Sequence, residues 1–411
     1  MNRPWLALVE SNTTGSGRQF CVAARARGLR PVVLAAQPRR YPYLDEDGLD
    51  RLMLDTGEPG AVLDACRRLA HRDGLAGVTS SSEYFAATAA EVATKLGLPG
   101  PDPLALARCR HKDRQRAVLA EAGVPVPAYR PVADAAAAAG AAEAIGYPVV
   151  VKPTTGSGSV GVRLCPDAAA VRAHAAGLLA GAVDERGRPV PRLVLVERYL
   201  TGPEFSVETF DRTVVAVTRK YLGPEPYFVE TGHDVPAQVP PGDAAALADL
   251  ALAALRALGL GRGAAHTELR MTPNGPVVVE VNPRLGGGMI PALVRLATGA
   301  DLVDAVIAGA AGESPEPVAR RLGYASIRFV LLDRPGTVTG LGGLDEARTL
   351  PGVELVALTV APGAVLARTH SFRDRVGYAV AVGPDPTTAA TRAQHAAASL
   401  RVQIETTGEN T

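Results

Sequence analysis

Across the first hundred residues, short apolar runs alternate with helical patterns, and few folds accommodate such an order. Residues 6–9, 31–35 and 77–79 read as strands, and residues 19–27, 61–71 and 83–96 as helices that stop at or near glycines. That alternation predicts an open parallel sheet with helices on both faces. Ligands bind at the carboxyl edge of such sheets, which places the loop Ser11-Asn12-Thr13-Thr14-Gly15-Ser16-Gly17 at a candidate site. The loop does not complete a dinucleotide fingerprint, so a tight turn or a contact to a non-nucleotide substrate is the better reading.

After the break Pro99-Gly100-Pro101-Asp102-Pro103 the pattern becomes mixed. Helices are expected over 104–122, 133–144, 244–258, 290–299 and 302–308, and strands over 147–153, 162–164, 193–197, 204–210, 213–221, 264–269 and 277–281. From residue 323 short strands dominate (325–331, 353–360, 364–369, 378–383), then a helix over 389–400 and a frayed tail after Glu405. The expected fold is α/β and α+β in three parts: an N-terminal open parallel sheet (1–103), a middle domain (104–309) with a lid at about 145–203, and a C-terminal α+β cap (310–411).

Composition narrows the function classes. The formal net charge is +1 with no charged block, which argues against nucleic acid or an anionic membrane as partner. No apolar stretch reaches spanning length, and the apolar start is too short for a signal peptide. Cys21, Cys66, Cys109 and Cys165 are widely spaced, as expected for buried reduced thiols in a cytoplasmic protein. The lysines are only Lys95, Lys112, Lys152 and Lys220 amid many arginines, so a retained lysine suggests a need for a compact ammonium.

The chemistry gathers at Glu280-Val281-Asn282-Pro283-Arg284, with a second carboxylate, Glu268, twelve residues upstream. Two carboxylates and an amide oxygen suit Mg²⁺ held against nucleotide phosphates. Arg284 stands where a developing anion could be met. Gly156-Ser157-Gly158-Ser159-Val160-Gly161 lies between two strands, so it reads as a hairpin whose backbone N–H groups can face phosphates, with Lys152 just before it. Residues 194–200 and Glu204 could flank an adenine ring and ribose, although taken by themselves they read better as an ordinary strand and turn. His266 could support the metal site or belong to the core. Gly286-Gly287-Gly288 before a helix could seat a substrate carboxylate or act as a hinge.

The order of these motifs resembles the ATP-grasp superfamily, in detail over residues 104–304. The twelve-residue carboxylate spacing and Asn-Pro-Arg are shared with biotin carboxylase-like members. Glu230-Thr231-Gly232-His233 is similar to a segment of L-amino-acid ligases. The resemblance implies that Lys112, Lys152 and the hairpin residues Ser157, Gly158 and Ser159 bind ATP phosphates. It implies that Glu197, Tyr199 and Leu200 line the adenine pocket and Glu204 holds ribose. Glu268, Glu280 and Asn282 would ligate Mg²⁺, two ions in number, with Mn²⁺ able to substitute. Arg284 would stabilise the acyl phosphate, and Glu230 and His233, expected in a loop, would contact substrate. The implied activity is ATP-dependent amide formation between a carboxylate and an amine, both small and amino-acid-like. A bicarbonate-activating carboxylase and a non-catalytic ATP-binding regulator are the alternatives, although no biotin-carrier segment is present and no motif residue is lost. Homodimers are common on general grounds, and one is compatible with this chain.

Overall fold

A computed structural model describes residues 3–12, 16–184 and 186–406. The N-terminal strands Trp5–Val9, Arg30–Ala35 and Leu75–Thr79 are where the apolar runs place them, and they pair in parallel. A fourth strand, Asp50–Met53, adds to the edge beside Arg30–Ala35. All four of its residues are exposed, so no apolar pattern announces it. The first helix begins at Ser16, and Thr13, Thr14 and Gly15 of the preceding loop lie outside the described residues.

The expected continuous helix over 104–122 is two helices, Pro103–Cys109 and Lys112–Glu121. Asp102 caps the first through Leu104 N, and proline occupies its first turn. The break falls where His111 turns extended and Lys112 N donates to Thr154 O at 2.8 Å. That bond ties the start of the second helix to the end of a strand in the next sheet.

That next sheet is antiparallel, in the order Tyr129–Val132, Val194–Arg198, Val149–Pro153, Arg163–Cys165. The alanine-rich helices Ala135–Ile145 and Ala168–Ala180 cover it, each started by an aspartate, Asp134 or Asp167, that accepts from the backbone. Ala138, Ala139, Ala142 and Ala175 are buried, and their short side chains let the helices lie close to Val149, Val151 and Val196. The loop 156–161 is the connection of an antiparallel hairpin in this sheet.

The central sheet has eight strands and forms the backbone of the molecule. Strands Gly275–Asn282, Ala264–Thr272, Glu204–Phe210, Thr213–Leu222 and Glu230–Val235 are followed without interruption by Tyr324–Leu331, Arg375–Gly383 and Val353–Leu358. The C-terminal strands therefore extend this sheet, whereas the sequence reads as a smaller cap of its own. Two more C-terminal corrections apply. Gly336–Gly342 and Arg401–Glu405 pair in a small sheet that their weak patterns hide, and the expected strand over 364–369 shrinks to Val365–Leu366. The tail from residue 407 lies outside the described residues.

The N-terminal sheet docks on helix Leu302–Ala310 through Gly77, where a Cβ would lie 2.1 Å from the Ala310 carbonyl oxygen and 3.1 Å from Leu6 Cδ1. Gly77→Ala is expected to destabilise the protein by about 1–3 kcal/mol through overpacking. An unchanged denaturant midpoint would show that this contact yields freely.

Candidate functional site

The hairpin, the start of helix Lys112–Glu121 and the end of strand Val194–Arg198 enclose a cleft of about 130 Å³. Lys112 and Lys152 both line it, with Ser157, Gly158, Ser159, Glu197, Tyr199, Leu200, Glu204, Glu268 and Glu280. Lys112 Nζ donates to Gly156 O at 2.6 Å and pairs with Glu280 Oε1 at 3.0 Å. Lys152 Nζ lies 2.6 Å from Glu197 Oε2, and Arg116 Nε lies 2.6 Å from Glu197 Oε1. Arg116 also donates to Val279 O. Burial opposes ionisation of Glu197, but Arg116 and Lys152 outweigh it and hold the carboxyl below its usual range. Glu197 therefore anchors two buried cations beneath the cleft as well as lining it. Tyr199 donates to Glu225 Oε1 at 2.6 Å, and Leu200 O accepts from Arg270 Nη1 at 2.8 Å.

The two carboxylates Glu268 and Glu280 stand opposite one another. Antiparallel pairing of Ala264–Thr272 with Gly275–Asn282 puts Glu268 in register with Glu280 and His266 in register with Asn282. Three cations, Lys220, His266 and Arg270, join these and further acids in a network. Lys220 Nζ lies 3.1 Å from Glu268, 3.2 Å from Glu204 and 2.7 Å from Glu230. Burial alone would push the Lys220 ammonium down, but the three carboxylates hold it well above its usual value. His266 Nε2 donates to Glu268 Oε1 at 3.1 Å while Nδ1 donates to Glu208 Oε1 at 2.8 Å. Despite burial, those two acids raise His266 to about 9, so both ring nitrogens carry protons at neutral pH. Arg270 Nη2 pairs with Glu204 Oε2 at 2.9 Å.

Among the described residues no three acidic, histidine or cysteine side chains converge as a metal cage. The carboxylates Glu268 and Glu280, in register across the two strands, offer an all-oxygen pair at the cleft, and the Asn282 amide lies buried at the strand end. That pair fits Mg²⁺, which keeps waters and takes phosphate oxygens beside one or two protein carboxylates.

The cleft opens into a second cavity of about 640 Å³. Ser157, Gly158, Glu230 and Glu268 line both. Arg284 faces this larger cavity. Its Nε and Nη2 donate to Glu83 Oε2 at 2.8 and 2.7 Å, and Nη1 donates to Leu285 O at 2.9 Å. Burial opposes ionisation of Glu83, yet Arg284, Lys112 and Arg110 together keep it below its usual range. Glu230 is held by Lys220 and by Arg375 Nη2, 2.5 Å from its Oε2. Those cations overcome burial and keep its carboxyl well below normal.

Glu230 and His233 belong to strand Glu230–Val235, where a loop is expected. The bulged pairing with Thr213–Leu222 and the antiparallel pairing with Tyr324–Leu331 draw the segment into the sheet. His233 is buried and absent from the lining of either cavity; its Nε2 lies 3.4 Å from Glu230 Oε2. Burial lowers its pKa, with Glu230 opposing. Gly288 (φ 57°) passes so close that a Cβ there would sit 2.5 Å from His233 Nε2. Asn282 is likewise buried and outside both linings. Arg116, Glu83, Glu208, Arg270 and Arg375 escape sequence reasoning, because each meets its partner across a fold-dependent distance. Lys220 carries one signal, its place among the four lysines.

Three family models match in succession. They are an ATP-grasp N-terminal domain over residues 21–100, an ATP-grasp domain over 145–292, and the L-amino acid ligase C-terminal domain 2 over 328–405. The chain is 40% identical over 398 residues to the uncharacterized protein y4rH of Sinorhizobium fredii, covering 97% of this chain and 82% of that one. It is 30% identical over 285 residues to a D-alanine–D-alanine ligase of Desulforudis audaxviator, covering 65% of this chain and 81% of that one. The crystal structure of an L-amino acid ligase from Bacillus licheniformis shares its fold. The TM-score is 0.83 over 98% of this chain and 100% of that one, at 22% identity.

Proposed function

The chain belongs to the L-amino acid ligase-like ATP-grasp family, and from that premise we propose that it joins a small carboxylate to an amine at the expense of ATP, releasing ADP and phosphate. The observation that carries this reading is the junction of the two cavities. The lysine-lined cleft meets the larger cavity at Ser157, Gly158, Glu230 and Glu268. A nucleotide whose phosphates lie over the hairpin thus presents its γ-phosphate to a chamber large enough for both substrates.

The substrate carboxylate attacks the γ-phosphorus, the bond to the bridging oxygen breaks, and ADP leaves. The amine nitrogen then attacks the acyl carbon, the acyl carbon–oxygen bond breaks, phosphate leaves, and the nitrogen gives up a proton. Lys112 and Lys152 bind the phosphates as point charges, Tyr199 and Leu200 border the base, and Glu204 meets the ribose. Bound Mg²⁺, for which Mn²⁺ can substitute, would neutralise charge on the phosphate oxygens, with Glu268, Glu280 and Asn282 holding it. Arg284 steadies the anionic acyl phosphate. Glu230 holds the substrate amine, and His233 acts on it from behind, as the 3.4 Å approach of its Nε2 suggests. Phosphoryl transfer asks mainly for charge neutralisation and positioning, which these groups supply.

ADP release from a matrix of carboxylates and amines, with mass spectrometry of the products, tests the reading. Formation of AMP and pyrophosphate would overturn it. Glu280→Gln is expected to reduce ADP formation to background with the fold intact by circular dichroism. Turnover close to wild type would remove Glu280 from the metal site.

A further inference from the structure

One short C-terminal segment, residues 369–375, touches both halves of the site. It is held rigid from within. The buried Asp374 carboxylate accepts from Thr369 N at 2.7 Å, Thr369 Oγ1 at 2.7 Å and His370 N at 2.8 Å. Leu332 N donates to Asp374 O at 2.7 Å, fixing the segment to the end of strand Tyr324–Leu331.

Its outward contacts reach three places. Phe372 N donates to Gly158 O at 3.1 Å, and the Phe372 ring lies over Gly158 so closely that a Cβ on that glycine would be 2.3 Å from Phe372 Cδ1. Gly158 also has φ +64°, a conformation that side chains resist. The His370 ring stacks on Tyr227 at 3.7 Å, three residues before Glu230. Arg375 grips Glu230 twice, Nη2 to Oε2 at 2.5 Å and Nε to the carbonyl at 3.2 Å, with its guanidinium 4.0 Å from the Phe329 ring centroid. The hairpin closes the ring, since Ser159 Oγ donates to Phe228 O at 2.8 Å.

We propose that residues 369–375 form a clasp that couples the phosphate-facing hairpin to the substrate subsite at Glu230, with Phe372 as its positioning residue. The inference rests on the ligase reading and deepens it. A substrate amine at Glu230 alters the partners of Arg375, and the rigid segment passes that change to Phe372 and so to Gly158. Closure of the hairpin on the nucleotide and occupancy of the substrate subsite then favour one another, as linked equilibria must. A hairpin held more firmly when substrate is present also protects the acyl phosphate from water.

The test uses the full chain carrying Phe372→Ala. Binding of the non-hydrolysable analogue AMP-PNP with Mg²⁺ is measured with and without each proteinogenic L-amino acid, together with the KM for ATP and the ratio of ADP to amide. The wild type is expected to bind AMP-PNP more tightly with a cognate amino acid present. Phe372→Ala is expected to lose that enhancement, weaken analogue binding by about tenfold, and release ADP in excess of amide. Phe372→Leu should recover part of the coupling. Gly158→Ala should impair the wild type more than it impairs the Phe372→Ala background, because the ring it strikes is gone. Wild-type binding, KM and stoichiometry in Phe372→Ala would overturn the proposal, as would additive effects of the two substitutions. Should no substrate pair yield amide, the ligase reading fails. In that event, loss in Phe372→Ala of the tightening of AMP-PNP by an amino acid supports the clasp, and a tightening kept in Phe372→Ala, or absent from the wild type, overturns it.

Discussion

Replacing Glu197 by Gln is expected to destabilise the protein by about 3–5 kcal/mol, the penalty for leaving buried charges without their partner. Arg116 and Glu197 are among the most buried charged side chains, and Lys152 is nearly as enclosed. The neutral amide keeps the shape of the carboxylate but strands two cations beneath the cleft. Guanidinium unfolding measures the loss, and a midpoint equal to wild type would show that Arg116 and Lys152 find other anions. The pH dependence supplies an internal check. The folded-state pKa of Glu197 is depressed, so its stabilisation is fully present above the unfolded carboxyl value of about 4.3 and fades as pH falls through the folded value. The gap between wild type and variant should therefore close in acid. A gap that stayed constant from neutral to acid would assign the loss to packing rather than charge.

Arg284→Ala is expected to lower the rate of ADP release by about 10²–10³-fold, the cost of removing one preorganised donor from a developing anion. Glu83 and the Leu285 carbonyl fix the guanidinium in place. Each terminal nitrogen carries a second N–H, so anion-binding capacity remains after those bonds are made. Lysine should not rescue, since a point charge cannot reproduce the oriented fork. The fold should survive, because Arg110 and Lys112 remain to offset Glu83. Nucleotide affinity should hold near wild type, since Arg284 lines the larger cavity and not the lysine-lined cleft. Steady-state ADP release within tenfold of wild type would leave Arg284 without the assigned role.

Most of this architecture was legible because it is local. The parallel strands of the first hundred residues are apolar on their own account, and only Asp50–Met53, exposed throughout, gave no signal. Glu268 and Glu280 could be read as a pair because a tight antiparallel connection places them in register. The electrostatic supports were hidden for the opposite reason. Glu83 meets Arg284 across 201 residues and Arg116 meets Glu197 across 81, separations at which no periodicity operates. The break before Lys112 was hidden similarly, since the partner of its N–H is Thr154, just past the end of strand Val149–Pro153. Glu230 and His233 read as a loop because the strand they form is completed by neighbours from elsewhere in the chain.

The unbroken eight-stranded sheet also determines how this chain can be cut. Glu230–Val235 has Tyr324–Leu331 as one of its two neighbours. A fragment ending after helix Leu302–Ala310 would contain every lysine of the nucleotide cleft, yet its sheet would end in the bare edge of the strand bearing Glu230 and His233. An unprotected edge invites pairing with another chain. Such a fragment is a candidate for self-association, and for rescue in trans by a peptide carrying residues 324–331.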